Sequence, residues 1–297
     1  MHPSLSLWSR PGTVDIHTHP DGLDSLEIRG AFGNAQIFLQ GAHLTGFRPR
    51  GLREMLFVSR QSHFKPGKAI RGGIPLIFPW FGPREGHPDA PMHGLVRTRA
   101  WRVLDIEVPD QGAARVVLGL ESCPETLAAW PHPFKTQIEF RMDSTLRIAW
   151  RIENTGSDSF TFEQALHPYF PVADIHSARV LGLQNAHFID KTSGGTLCTD
   201  AKQEVRFTQE TDRLYLDTRA ALILEDPAAQ ARLTVTKSGS DSSVVWNPWI
   251  EKAASLADLA DDEWQNFVCV EQVNAKHNAV TLAPGAVHEM DAEYRLA

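Results

Sequence analysis

Residues 137–152 read QIEFRMDSTLRIAWRI. Residues 137–142 and 146–152 flank Asp143, Ser144 and Thr145, which have the length and residue types of a three-residue hairpin loop. In the second run Leu146, Ile148, Trp150 and Ile152 share one side, while Arg147, Ala149, Arg151 and Glu153 share the other. A period of two is the mark of a strand, because successive side chains point to opposite faces of a sheet. One apolar and one polar face make this a half-buried antiparallel strand.

The pattern repeats in both directions. Residues 154–159 (NTGSDS) form a turn, and residues 160–166 return as a strand. Upstream, residues 35–44, 55–59, 101–108 and 115–120 are apolar or alternating runs. Downstream, short runs recur at 179–183, 204–207, 213–216, 221–224, 232–236, 243–246, 267–271, 280–282 and 288–295. Helical spacing is confined to residues 251–259 and a turn at 126–130. No repeat of 20 to 50 residues is present, and no linker divides the chain. Many short strands with turn signals predict an all-β, antiparallel sandwich spanning residues 1–297 as one domain, with 1–25 weakly assigned.

Residues 68–99 break the pattern. They hold five prolines and five glycines, yet also Ile74, Leu76, Ile77, Phe78, Trp80 and Phe81. Proline and glycine at this density interrupt regular elements, whereas disordered linkers are poor in aromatic and aliphatic residues. The stretch therefore reads as an ordered loop with an apolar spine, and ordered long loops gather binding residues. It carries Arg71, His93 and Arg97.

The 297 residues include 29 Lys and Arg against 36 Asp and Glu, a formal charge of -7. That balance argues against nucleic acid or an anionic membrane as the main partner. Cys123, Cys198 and Cys269 are odd in number and far apart, so a disulfide framework or zinc site is not expected and a reducing, cytoplasmic setting is. No leader-like N-terminus and no run of about 18 apolar residues is present.

Four places combine titratable groups with apolar context: the loop with Arg71, His93 and Arg97; His167, at a strand end before Pro168; Asp212 beside Arg213; and Glu271. On a strand Glu271 shares its face with Cys269 and Val273, so it is either paired in a cleft or exposed to solvent. Each also has a plain structural reading, as a loop brace, a turn histidine, a surface turn or a solvated strand acid. His17 and His19 form an HxH that resembles the first metal-ligand motif of the amidohydrolase superfamily. That chemistry needs a (β/α)8 barrel, which the strand pattern does not supply.

Read together, IRGGIP, FPWFG, HGLVR, ALHPYF, the segment from Gly182 to Ile189-Asp190-Lys191, VVWNPW and VCVEQVN resemble, in order, the glucose-6-phosphate 1-epimerase (hexose-6-phosphate mutarotase) family of the aldose 1-epimerase superfamily. The resemblance runs from about residue 25 to the C-terminus. It implies a galactose-mutarotase-like β-supersandwich, a monomer, and an isomerase acting on a hexose 6-phosphate. By position it implies His167 and Glu271 as catalytic residues, Arg71 and Arg97 as phosphate ligands, and His93 and Asp212 as sugar contacts. Leu95-Val96 stands where the family often has Phe-Ala, and the HxH lies outside the match.

The residue types suit that chemistry. Anomers interconvert when the ring opens and recloses on the other carbonyl face. Opening needs a proton on the ring oxygen and loss of the proton from the C1 hydroxyl, served by one acid and one base on opposite sides of the pyranose. Histidine exchanges protons near neutral pH, a shielded glutamate can act as base, and guanidinium groups pair with phosphate. No metal or redox cofactor is expected. The competing readings are a sugar-phosphate binding or sensing protein on the same fold and, behind it, a metal-dependent hydrolase built on His17 and His19.

Overall fold

The computed structural model describes residues 3–297. The 137–152 hairpin folds as read, with strands Phe134–Met142 and Thr145–Asn154 in a register that sets Met142 opposite Leu146. Asp143 Oδ1 accepts from the Thr145 backbone N–H and hydroxyl at 2.7 and 2.8 Å, which closes the loop. Leu146, Ile148, Trp150 and Ile152 are buried. The Trp150 indole N–H reaches Thr136 Oγ1 at 2.7 Å, so its one polar group is satisfied in the core. On the other face Arg147 meets Glu293 and Asp143.

This hairpin lies near one end of a nine-stranded antiparallel sheet in the order Glu204–Arg206, Arg179–Leu181, Leu222–Asp226, Ala231–Ser238, Val287–Leu296, Thr145–Asn154, Phe134–Met142, Ala114–Glu121 and Arg102–Glu107. A second sheet runs Thr196–Thr199, His187–Asp190, Thr211–Tyr215, Ser242–Asn247, Phe267–Asn274, Gln164–Leu166 and Leu76–Ile77, with Tyr169–Pro171 also paired to Phe267–Asn274. Four strands between Val14 and Pro49 form a third sheet, and Phe160–Phe162 pairs with Val280–Leu282.

The second sheet is buried on both faces along Phe267–Asn274. Val268, Val270 and Gln272 turn toward the nine-stranded sheet. There Tyr294 donates its hydroxyl to Gln272 Oε1, and Phe170 packs on the Tyr294 ring at 5.4 Å between centroids. Burial of these apolar faces, at roughly 25 cal/mol per Å² of apolar surface, joins the two sheets. The opposite face carries Cys269, Glu271 and Val273, as the strand reading expected.

Several boundaries differ from the sequence reading. Residues 35–44 are not one run: Gly33–Phe38 and His43–Pro49 are separate strands around a turn at Gly41, whose φ is +78°. Strands His187–Asp190 and Thr196–Thr199 are too short and too polar for alternation to show them. Among the described residues the α-helices are Pro124–Ala129 and Trp249–Ala254. Among the described residues no helix is long and apolar enough to cross a membrane.

Candidate active site

Register brings the two sequence candidates together. Leu166 pairs with Gln272 and Tyr169 with Cys269, and these pairings belong to one unbroken register. His167 therefore falls opposite Glu271. Pro168 has no N–H and leaves a gap in the ladder there, and the His167 N–H turns instead to the Pro75 carbonyl at 3.1 Å. Residues directly opposite on antiparallel strands share a face and touch: His167 Nε2 lies 3.4 Å from Glu271 Oε1.

The same logic orders the surroundings. Cross-strand pairing sets Asp212 opposite Trp246, Trp246 opposite Cys269, and Cys269 opposite Tyr169, a polar and aromatic row beside the His167–Glu271 pair. On the other side lie Val273 and Ala165, within an apolar cluster that includes Ile77, Phe81, Leu214 and Val244. The His167 ring stacks on Tyr169 at 5.0 Å with planes 9° apart, and meets Trp246 and His93 edge-on at 5.8 and 6.0 Å.

The proline- and glycine-rich loop forms the rim, ordered by its own packing as expected. Its FPWFG and HGLVR segments lie side by side, with the Leu95 N–H on the Phe78 carbonyl at 2.7 Å. Gly94, at φ +78°, is required there, because a Cβ would sit 2.0 Å from that carbonyl oxygen. Gly72 is equally constrained, since its Cβ would meet the Phe57 carbonyl at 2.4 Å. His43, from the N-terminal sheet, holds the Gly72 carbonyl at 2.7 Å. The rim presents His93, whose Nδ1 accepts from the Gly82 N–H at 3.2 Å. Arg97 donates to the Met92 carbonyl at 2.8 Å. Arg71 contacts Asp258 Oδ1 through Nε at 3.1 Å and Nη2 at 3.0 Å, and donates from Nη1 to the Tyr169 hydroxyl at 3.0 Å.

Three residues without an assigned role in the sequence reading belong to this cleft. Lys191 lies 3.0 Å from Asp212 Oδ1 and 4.6 Å from the centre of the Phe81 ring. Its motif was legible, but nothing in it marked the lysine. Tyr169 and Asp258 complete the contacts of Arg71; Tyr169 stands two residues from His167 in the ALHPYF motif, whereas Asp258 carries no local signal. Asp212 lies within strand Thr211–Tyr215 rather than in a surface turn. His17 and His19 lie elsewhere: His17 pairs with Glu27 at 3.0 Å, and His19 packs on Phe64 at 4.7 Å.

Burial dominates the electrostatics. It pushes the Glu271 carboxyl well above the ordinary glutamate range, with Lys191 pulling down and Asp212 adding to the rise. It pushes His167 well below the ordinary histidine range, helped by His93, Arg71 and Arg97. His93 is lowered by burial and by Arg97, Lys191 and Arg71. Arg97 is pushed down to about 10 by burial and by the facing Arg71 guanidinium. Glu271 Oε2 and His167 Nδ1 are buried without a hydrogen-bond partner among the described residues. Burial thus disfavours the charged form of both partners, the carboxylate of Glu271 and the imidazolium of His167.

His167 and Glu271 thus stand side by side on one face of the sheet. That suits a hemiacetal, whose two oxygens are bonded to one carbon and lie closer together than the 3.4 Å between the two side chains.

The aldose 1-epimerase family model matches residues 24–295. A Cenchrus ciliaris protein provisionally named glucose-6-phosphate 1-epimerase is 35% identical over 275 residues, covering 90% of this chain and 82% of its own. A Salmonella typhimurium protein of the same provisional name is 35% identical over 257 residues, covering 86% and 84%. The crystal structure of YeaD from Salmonella typhimurium, provisionally a mutarotase, superposes with a TM-score of 0.91 at 29% identity over 97% of this chain and 95% of that one. A galactose mutarotase-like protein from Lactobacillus casei shares the fold at a TM-score of 0.71 and 17% identity, over 92% of this chain and 100% of its own.

Proposed function

The chain belongs to the aldose 1-epimerase family of isomerases, and from that membership we propose that it interconverts the α and β anomers of a hexose 6-phosphate, glucose 6-phosphate by default. The observation that carries the reading is the contact of His167 with Glu271 on the cleft face of the sheet, beneath a rim bearing Arg71 and Arg97.

With substrate bound, the proton held by the Glu271 carboxyl passes to His167; His167 then donates a proton to the ring oxygen O5 while Glu271 takes the proton of the C1 hydroxyl. The C1–O5 bond breaks, O1 becomes the carbonyl oxygen and O5 a hydroxyl. Rotation about C1–C2 presents the other carbonyl face, and reversal of both transfers closes the ring. Arg71 and Arg97 hold the phosphate through charge-assisted bonds, and His93 and Asp212 contact sugar hydroxyls. The names of the relatives and the two guanidinium groups both favour a phosphorylated sugar.

Two-dimensional exchange NMR on equilibrated glucose 6-phosphate anomers, with glucose alongside, tests this. Much faster exchange of the phosphosugar than of glucose is expected. His167→Ala and Glu271→Gln should each lower kcat by about 10² to 10⁴. Near-normal exchange in either variant overturns the catalytic assignment. Line broadening without exchange identifies a binding protein instead.

A further inference from the structure

Resting on the hexose-6-phosphate reading, we infer that Arg71, Tyr169 and His167 couple the phosphate to the chemistry. A dianion held by Arg71 and Arg97 promotes ring opening itself as well as binding, and Tyr169 is the positioning residue between the two ends.

Contacts lay out the path. Asp258 anchors Arg71 through Nε and Nη2, at 3.1 and 3.0 Å. Nη1 of Arg71 donates to the Tyr169 hydroxyl at 3.0 Å. The Tyr169 ring then lies flat against His167, 5.0 Å away. A guanidinium has five N–H donors, so both Nη atoms keep one for a phosphate oxygen. Arg97 adds a second cation whose own charge Arg71 opposes.

The titratable and charged groups around His167 are Glu271 across the ladder, Tyr169 on its ring face, His93 at its edge, and Arg71 and Arg97 beyond them. Both guanidinium groups resist a proton on this imidazole. The protein's own cations thus oppose the acid that ring opening needs. A phosphate dianion on those cations cancels their influence at a buried site, where charge interactions are strong. Burial still acts on both groups, but with the cations' opposition removed the proton of the Glu271 carboxyl passes more readily to His167, giving a carboxylate base and an imidazolium acid. No substrate bond changes in that step. A sugar without phosphate leaves the opposition in place and turns over slowly even when bound.

The test divides the substrate in two. D-xylose supplies the pyranose without the phosphate-bearing carbon, and phosphite supplies the dianion. Exchange NMR is run on xylose with native protein across a phosphite series, subtracting a protein-free blank at each concentration. Phosphite is expected to raise protein-catalysed exchange saturably, through kcat, by about tenfold or more. Tyr169→Phe keeps the ring but loses the link to Arg71, so the activation factor should fall toward one. A merely structural Tyr169 would slow both reactions alike and leave that factor intact. If glucose 6-phosphate turns over but phosphite leaves xylose exchange unchanged, the arginines only bind and the inference is overturned. If glucose 6-phosphate does not turn over, the function proposed above falls with it.

Discussion

Lys191 Nζ lies 3.0 Å from Asp212 Oδ1, two strands from Glu271 in the sheet. The two charges act on Glu271 in opposite directions: Lys191 favours its carboxylate and Asp212 disfavours it. Lys191→Met should therefore raise the pH at which Glu271 ionises, and Asp212→Asn should lower it. The pH profile of kcat/KM for glucose 6-phosphate measures both, using the limb that Glu271→Gln removes. Shifts in the same direction would mean the pair acts by positioning rather than by charge.

Replacement of either rim arginine should separate phosphosugar from sugar. A hydrogen bond to a charged group contributes about 1.5–3 kcal/mol, so Arg71→Ala and Arg97→Ala should each lower kcat/KM for glucose 6-phosphate by about 10- to 150-fold. The slow exchange of glucose should be kept or rise, because either replacement removes a cation that opposes a proton on His167. Arg97→Lys restores the charge but not the planar fork and should recover only part of the loss. Equal losses on the two sugars would remove the phosphate role.

His43 should make the fold sensitive to acid. Burial, opposed by its bond to the Gly72 carbonyl, lowers it from 6.5 to about 4. Between those values the unfolded chain binds a proton that the folded chain refuses. Its contribution is thus fully present above pH 6.5 and is lost as pH falls toward 4, a swing of about 3 kcal/mol. The difference in urea unfolding free energy between native protein and His43→Gln should shrink or change sign from pH 7.5 to 4.5. A constant difference would show that His43 titrates normally.

Gly94→Ala should disrupt the loop that carries His93 and Arg97. The residue has φ +78°, and its new Cβ would overlap the Phe78 carbonyl oxygen. A loss of at least about 2 kcal/mol, read as a lower urea midpoint with unchanged slope, should accompany weakened glucose 6-phosphate turnover. Native stability would show that the loop relaxes freely.

Much of the site was legible one strand at a time. Alternation gave Glu271 its face, with Cys269 and Val273, and proline placed His167 at a strand end. The apolar spine of residues 68–99 marked an ordered loop. The strands at His187–Asp190 and Thr196–Thr199 were missed because each is only four residues long and half polar or exposed, too short for alternation to show. With them went any sign that Lys191 enters the cleft.

Local pattern in this chain determined fold class, the inward residues of its clearest strands and the residue types available for chemistry, because period and turn residues act over neighbours in sequence. Tertiary structure alone decided that His167 faces Glu271, that Asp258 anchors Arg71 and that Tyr169 links Arg71 to His167. These are contacts between residues as far apart as 187 positions, set by strand register and loop packing. It also decided the ionisation of the pair. A carboxyl and an imidazole have ordinary affinities for protons in an extended chain, and only burial beside particular charges raises the one and lowers the other.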